Sequence, residues 1–355
     1  MKSELETLVI LSPGFPANET DSACIPPQQL FVKALREICP DLNIIVIAFQ
    51  YPFVSAEYDW YGIKVIAIGG KNKGQLFRML TWMRAWLKLK KTTKQFQVIG
   101  LLSFWFTECA FVGECFAKQR KLTHYSWILG QDAKKGNKYF KWIKPKGDSL
   151  IALSDFVSKE VKKNYQVLPF EVVPVGIDTS LFKPPPIMRG IDILGAGSLI
   201  PLKQYHLFVE CIGYLKDFFP DIKAVICGNG PEIERLKTMA ESLGLKDNLS
   251  FAGELPHTEV LALMQQSKVF LHTSNYEGFG AVIAEALYAG AHVVSFCKPM
   301  SVNFNHHHIV NDVEEMKAKV LSLTTFLKCS KRNHEPVLMY TSQQTAKCMI
   351  SLFAS

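Results

Sequence analysis

No stretch limits what this chain can fold into more than Lys268 to Ser295, which reads KVFLHTSNYEGFGAVIAEALYAGAHVVS. Lys268–Thr273 is a short run of apolar and β-branched residues, the pattern of a buried strand. Ser274–Gly280 is small and polar and predicts a turn. Ala281–Ala289 is apolar at helical spacing, Gly290 stops it, and Ala291–Ser295 returns to a buried strand. Strand, loop, helix and strand in that order form the unit from which parallel α/β sheets are built.

The chemistry of this stretch lies where loop meets helix. Gly278, Phe279, Gly280 and Ala281 bring backbone N–H groups to a helix start, which lacks intrahelical acceptors for them and carries a partial positive charge. Such an end suits a phosphate or another anion. Two glycines let a ligand come close without a Cβ in the way. Glu277 precedes the helix and Glu285 lies about one turn into it. Carboxylates so placed can accept hydrogen bonds from hydroxyl pairs on either side of a bound phosphate. A nucleotide sugar, with a sugar at each end of a diphosphate, has that form. The plainer alternative is a turn glycine before a helix whose glutamate faces solvent.

At 355 residues, with 48% hydrophobic and 20% charged residues, the chain is long and apolar enough for two globular domains. No apolar run approaches the roughly 20 residues of a membrane helix. The N-terminal segment has too short an apolar run for a signal peptide and reads as the first strand. Nine cysteines without a C-x-x-C pair, most of them in apolar runs, read as reduced, buried and cytosolic. The net charge of +8 fits anionic partners such as phosphates, nucleotides or a lipid surface; no recognition motif supports nucleic acid.

Residues 277–290, E-G-F-G and then A-E-A-L-x-A-G, resemble the E-x7-E motif of the retaining glycosyltransferases of family four, which have the GT-B fold. The likeness is strong over about residues 149–298 and holds in outline over 1–148. It implies an α/β chain of two Rossmann-like parallel-sheet domains facing a central cleft. Residues 1–185 would form the acceptor side and 186–339 the donor domain, with a final helix, 340–355, packing back on the first. Val173–Arg189 resembles the family's P-x-G-V-D-x-x-x-F-x-P crossover, and its run of three consecutive prolines predicts a stiff hinge near 183–190.

The resemblance also implies roles. Glu285 would hold ribose hydroxyls, Glu277 hydroxyls of the transferred sugar, and Lys203 with the N–H groups of Phe279, Gly280 and Ala281 the diphosphate. Gly197–Lys203 stands where the family reads G-R-L-x-x-x-K. Lys203 keeps register, but Ser198 replaces the arginine, which removes a charge-assisted contact of about 1.5–3 kcal/mol. Gly228-Asn229-Gly230-Pro231-Glu232 resembles the family's G-x-G-P-E turn lining the donor site, and Gly14 could supply a glycine near the donor phosphates. Gln131 and Asp132, at a strand end, stand where a His-Asp pair often contacts the donor sugar; glutamine can hydrogen-bond but cannot titrate. No cofactor is implied: the nucleotide sugar is a co-substrate and metal is not required. Partners would be that donor and a glycan or lipid-linked acceptor, at a cytoplasmic site or peripherally at the inner face of the membrane.

Two other readings compete. Gly195-Ala196-Gly197 after a strand suggests a dinucleotide site, but the third glycine would fall on Ile200, and no acidic residue ends a second strand about 20 positions on. A non-catalytic GT-B protein that binds nucleotide sugar or a partner enzyme fits Ser198 and Gln131. Elsewhere, Gln75–Lys91 predicts a helix with an apolar side of Leu76, Leu80, Met83 and Leu87 and a basic side. The plainer reading packs that apolar side on the sheet; contact with an anionic membrane is the other. Consecutive histidines at 306–308 point in different directions and suit a metal poorly.

Overall fold

The computed structural model describes residues 3–22, 24–184, 189–329 and 335–354. The chain divides into two compact units, Met1–Gly176 with Ser342–Ser355, and Ile177–Thr341. The division therefore falls at 176/177 rather than at the expected 185/186. Most of the proline run and the proposed hinge, residues 185–188, lies outside the described residues.

The first unit is built on eight strands: β1 Ser3–Gly14, β2 Asn43–Tyr51, β3 Ala56–Trp60, β4 Ile63–Ala67, β5 Phe96–Phe104, β6 Thr123–Ile128, β7 Leu150–Ala152 and β8 Glu171–Val172. Their order is β3-β4-β2-β1-β5-β6-β7-β8, and every pairing is parallel except β3 with β4. The central strands are apolar runs because helices cover both faces of such a sheet. Val9, Leu11, Ile45, Ile47 and Leu101 pack with Ala85, Leu89, Val112 and Phe116 from two helices. The β3–β4 hairpin turns on Tyr61 and Gly62, both at positive φ, as a two-residue hairpin loop requires. Helix Ser342–Ser351 packs beside helix Pro26–Ile38. The chain just beyond it is fixed by the Tyr125 hydroxyl, which donates to the Leu352 carbonyl at 3.1 Å.

The helix at Gln75–Gln95 overturns the plainer expectation for it. Leu76, Leu80, Met83 and Leu87 are exposed; the sheet is met instead by Ala85 and Leu89, with Trp82 and Trp86 partly buried. The sequence carries apolar residues on two opposite faces, and the smaller, flatter one fits the core.

The second unit has six strands: β9 Ile191–Ala196, β10 Ala224–Cys227, β11 Leu249–Gly253, β12 Ser267–His272, β13 His292–Ser295 and β14 His307–Ile309. All pairings are parallel, in the order β11-β10-β9-β12-β13-β14. Order reverses between β9 and β12, so the loops after these two strands diverge to opposite faces and leave a crevice at their carboxyl ends. Both halves of the sheet feed one core, in which Phe208, Ile212, Leu236, Val269, Leu271 and Met316 are buried. His307 and His308 lie in β14 and alternate as strand neighbours must: His307 Nε2 meets Ser295 Oγ and His308 Nε2 meets His292 Nδ1, each at 2.9 Å. Among the described residues no group of three or more His, Cys, Asp or Glu could hold a metal ion.

Candidate active site

The reversal between β9 and β12 brings Lys203 and Glu277 together. Lys203 closes a short turn, Pro201–Lys203, after β9; Glu277 follows β12 in the loop to helix Ala281–Tyr288. The two loops are tied through side chains on backbone: Thr273 Oγ1 donates to the Lys203 carbonyl at 2.7 Å and Ser274 Oγ to that of Leu202 at 3.3 Å. Lys203 Nζ pairs with Glu277 Oε1, and His272 Nε2 lies 3.2 Å from the same oxygen. Burial pushes the Glu277 pKa up. The close approach of His272 and the charge of Lys203 outweigh it and hold the carboxyl at about 2. The result is a carboxylate ionised at any physiological pH beside a cation, mostly screened from water.

Glu285 sits on helix Ala281–Tyr288 with its side chain largely buried, and its Oε1 is 2.8 Å from His257 Nε2. His257 begins helix His257–Gln266. Burial alone would lower its pKa; the hydrogen bond and charge of Glu285, with Asp178 adding to it, raise it on balance. The helix that carries Glu285 starts at Gly280, whose φ of +72° is open to glycine at no cost. A Cβ there would also come within 2.9 Å of Ile283 Cδ1. Phe279 buries its ring near Tyr340, centroids 6.1 Å apart, and so anchors the loop from inside.

The turn at Gly228–Glu232 has a structural task that its motif does not announce. A Cβ on Gly228 would stand 1.9 Å from the Gly197 carbonyl oxygen, and one on Gly230 would stand 2.4 Å from that of Leu199. Gly197 N–H donates to Cys227 O and Leu199 N–H to Asn229 O, both at 2.9 Å, and Glu232 N–H to Leu199 O at 3.1 Å. The two loops are pressed backbone to backbone, and the loop so fixed leads directly into Lys203. Ser198 is exposed between them.

The other expected residues belong to the first unit. Gly14 ends β1, and Phe15 N–H donates to Tyr51 O at 3.0 Å. Gln131 is exposed. Asp132 is buried, and its carboxylate accepts from the N–H groups of Phe106 at 2.6 Å, Gly130 at 2.8 Å and Leu129 at 3.1 Å. Burial pushes its pKa up against those bonds. It staples one loop to another, and its neighbour Gln131 is the one open to a ligand. His124 is likewise engaged inside the unit, by Ser103 and Glu114 at 2.9 Å each. Sequence reasoning missed His272, Thr273 and His257. The first two end a strand that opens onto the predicted loop, a position where polar residues were readable as site-facing; nothing local marked His257.

Residues 178–336, nearly all of the second unit, match the family model of glycosyl transferases group 1. A component of the phosphatidylinositol N-acetylglucosaminyltransferase of Arabidopsis thaliana is 32% identical over 127 residues, 35% of this chain and 28% of the relative. Its Homo sapiens counterpart is 33% identical over 126 residues, 35% and 26% respectively. The match thus spans about a quarter of the length of these relatives. Among solved structures, a glycosyltransferase from Rickettsia africae superposes with a TM-score of 0.70 at 15% identity, covering 99% of this chain and 94% of its own. Anabaena HepE in complex with UDP and glucose superposes at 0.67 and 14%, covering 99% and 96%. The fold is the α/β fold of GT-B glycosyltransferases, with two Rossmann-like parallel-sheet domains.

Proposed function

We propose, from the premise that the second unit is a domain of the glycosyl transferases group 1 family, that the chain transfers a sugar from a nucleotide-diphosphate sugar to a glycan or lipid-linked acceptor. The observation that carries this is the meeting of Lys203, Glu277 and the Gly280 helix start at the point where strand order reverses. A crevice there is where parallel α/β sheets bind nucleotides. Lys203 and the N–H groups of Phe279, Gly280 and Ala281 supply positive potential for a diphosphate, and more so as it leaves with growing charge. Glu285, oriented by His257, accepts from the ribose hydroxyls; Glu277, ionised and held by His272, accepts from hydroxyls of the transferred sugar. The bond from the sugar's C1 to the diphosphate breaks and one from C1 to the acceptor oxygen forms on the same face. The acceptor's proton goes to the departing phosphate, so anomeric configuration is retained without a protein nucleophile or a metal. Product anomeric configuration by NMR tests the reaction class: retention is expected, and inversion overturns it.

One observation favours a second reading, a non-catalytic protein that binds nucleotide sugar or a partner enzyme. Ser198 stands in place of an arginine, and Lys203 already pairs with Glu277. Tight nucleotide binding with no turnover of acceptor or water would select it.

A further inference from the structure

The helix Gln75–Gln95 has a second apolar face that the first unit does not use. Leu76, Met79, Leu80, Met83 and Leu87 fall at the i, i+3, i+4, i+7 and i+11 positions of one stripe, opposite Thr81, Ala85 and Leu89, which are buried. The five are 45–76% exposed, Leu80 least and Leu76 most. At 1.5 Å per residue the stripe runs about 16 Å along the helix. A surface helix of a globular protein exposes single apolar residues, not an ordered row, so this face is built to meet something.

Its surroundings say what. From Lys71 to Gln95 the sequence carries eight lysines and arginines and no carboxylate. Arg84 and Lys91 are exposed along one flank, and Lys90 and Lys94 extend the stripe's line beyond Leu87. A second basic segment adjoins the helix through Trp82, whose ring centroid lies 6.4 Å from that of Trp142. That segment, Lys134 to Lys146, carries six lysines and again no carboxylate. Trp142 is itself 47% exposed, with Lys138 Nζ 4.8 Å from its ring centroid. Together the two segments hold more positive charge than the chain's net +8. An apolar row rimmed by cations, with an exposed tryptophan alongside, matches the interface of an anionic bilayer: acyl chains for the row, headgroups for the cations, the boundary for the indole. Nucleic acid would answer the charge but not the row. No described helix is long and apolar enough to cross a membrane, so the helix would lie on the surface.

We infer that the Leu76–Leu87 face of this helix, with Trp142 and the flanking lysines and arginines, docks the first unit onto an anionic lipid bilayer. The inference rests on exposure and charge in the first unit and is independent of the donor-site reading.

The test is co-sedimentation of the full chain with vesicles of phosphatidylcholine, alone or with about one third phosphatidylglycerol. The wild type is expected to pellet with the anionic vesicles and far less with the neutral ones, and less again at high salt. The double variant Met79→Gln, Met83→Gln and the double variant Arg84→Gln, Lys91→Gln should each lower the partition coefficient tenfold or more while unfolding at the wild-type temperature, since all four side chains are exposed. Partition unchanged in the Met79→Gln, Met83→Gln protein overturns the inference. So does a wild type that ignores anionic vesicles, including one that instead dimerises through this face on a sizing column.

Discussion

On the proposed function, Lys203 and Ser198 set the strength of the donor site between them. Lys203→Ala removes a charge-assisted contact of about 1.5–3 kcal/mol, so nucleoside diphosphate should bind roughly 10- to 150-fold more weakly by calorimetry. Ser198→Arg should act in the opposite sense and tighten binding by about tenfold or more, because the serine is exposed and an arginine has room to reach the phosphates. Unchanged affinity in both would remove the diphosphate from this loop. The His257–Glu285 pair makes a prediction about pH. A histidine whose folded pKa is raised above its usual 6.5 stabilises fully below that value and loses the contribution as pH climbs through the folded value. The stability gap between wild type and His257→Ala, read from urea unfolding, should therefore be widest at pH 6 or below and shrink by pH 9. Glu277 has the opposite sign: with its folded pKa at about 2, its contribution is present above the usual carboxyl pKa near 4.5 and is lost as pH falls from there towards 2.

At the level of elements, the two glycines of the Gly228–Glu232 turn carry the sharpest expectation. Gly228→Ala places a Cβ 1.9 Å from a backbone oxygen at a φ of +141°, and neither loop can retreat without breaking the Gly197–Cys227 hydrogen bond. It should cost about 3 kcal/mol or more in chemical denaturation. Gly253→Ala, at φ +70° with no atom within 4 Å of the new Cβ, should cost only about 1 kcal/mol. The same turn shows what was legible. Its motif, and the strand–loop–helix–strand pattern at 268–295, were readable because short apolar runs and glycines are local signals. That Gly228 and Gly230 serve the backbone of Gly197 and Leu199 was not, since the partner lies about 30 positions away in the chain. The β3–β4 hairpin passed unread because Tyr61 is an unusual residue for a positive φ. Helix Gln75–Gln95 was located, but its inward face was not: two apolar stripes look alike until the sheet selects the one with Ala85. Asp132 was picked out as polar at a strand end, and only the fold reveals that its oxygens are taken by backbone.

Over the whole molecule, the chain passes between its units twice, at 176/177 and 341/342, and the two passages lie side by side: Ile177 N–H donates to Tyr340 O at 2.9 Å. The second passage returns helix Ser342–Ser351 to the first unit, where Thr345 Oγ1 donates to Pro174 O at 2.7 Å. Charge is divided as unevenly as topology. The basic segments of the first unit outweigh the net charge of the whole chain, while the second unit holds the Lys203–Glu277 ion pair and the His257–Glu285 pair. The proposed donor site of the second unit works through hydroxyls held by Glu285 and phosphates held near Lys203. Thermal unfolding with UDP, GDP and their sugar conjugates, for the wild type and for Glu285→Ala, tests that site at its centre. The unfolding temperature should rise with one nucleotide and its sugar conjugate, and the variant should lose most of that rise. No rise with any of them, or an equal rise in Glu285→Ala, would contradict a donor site built on this glutamate.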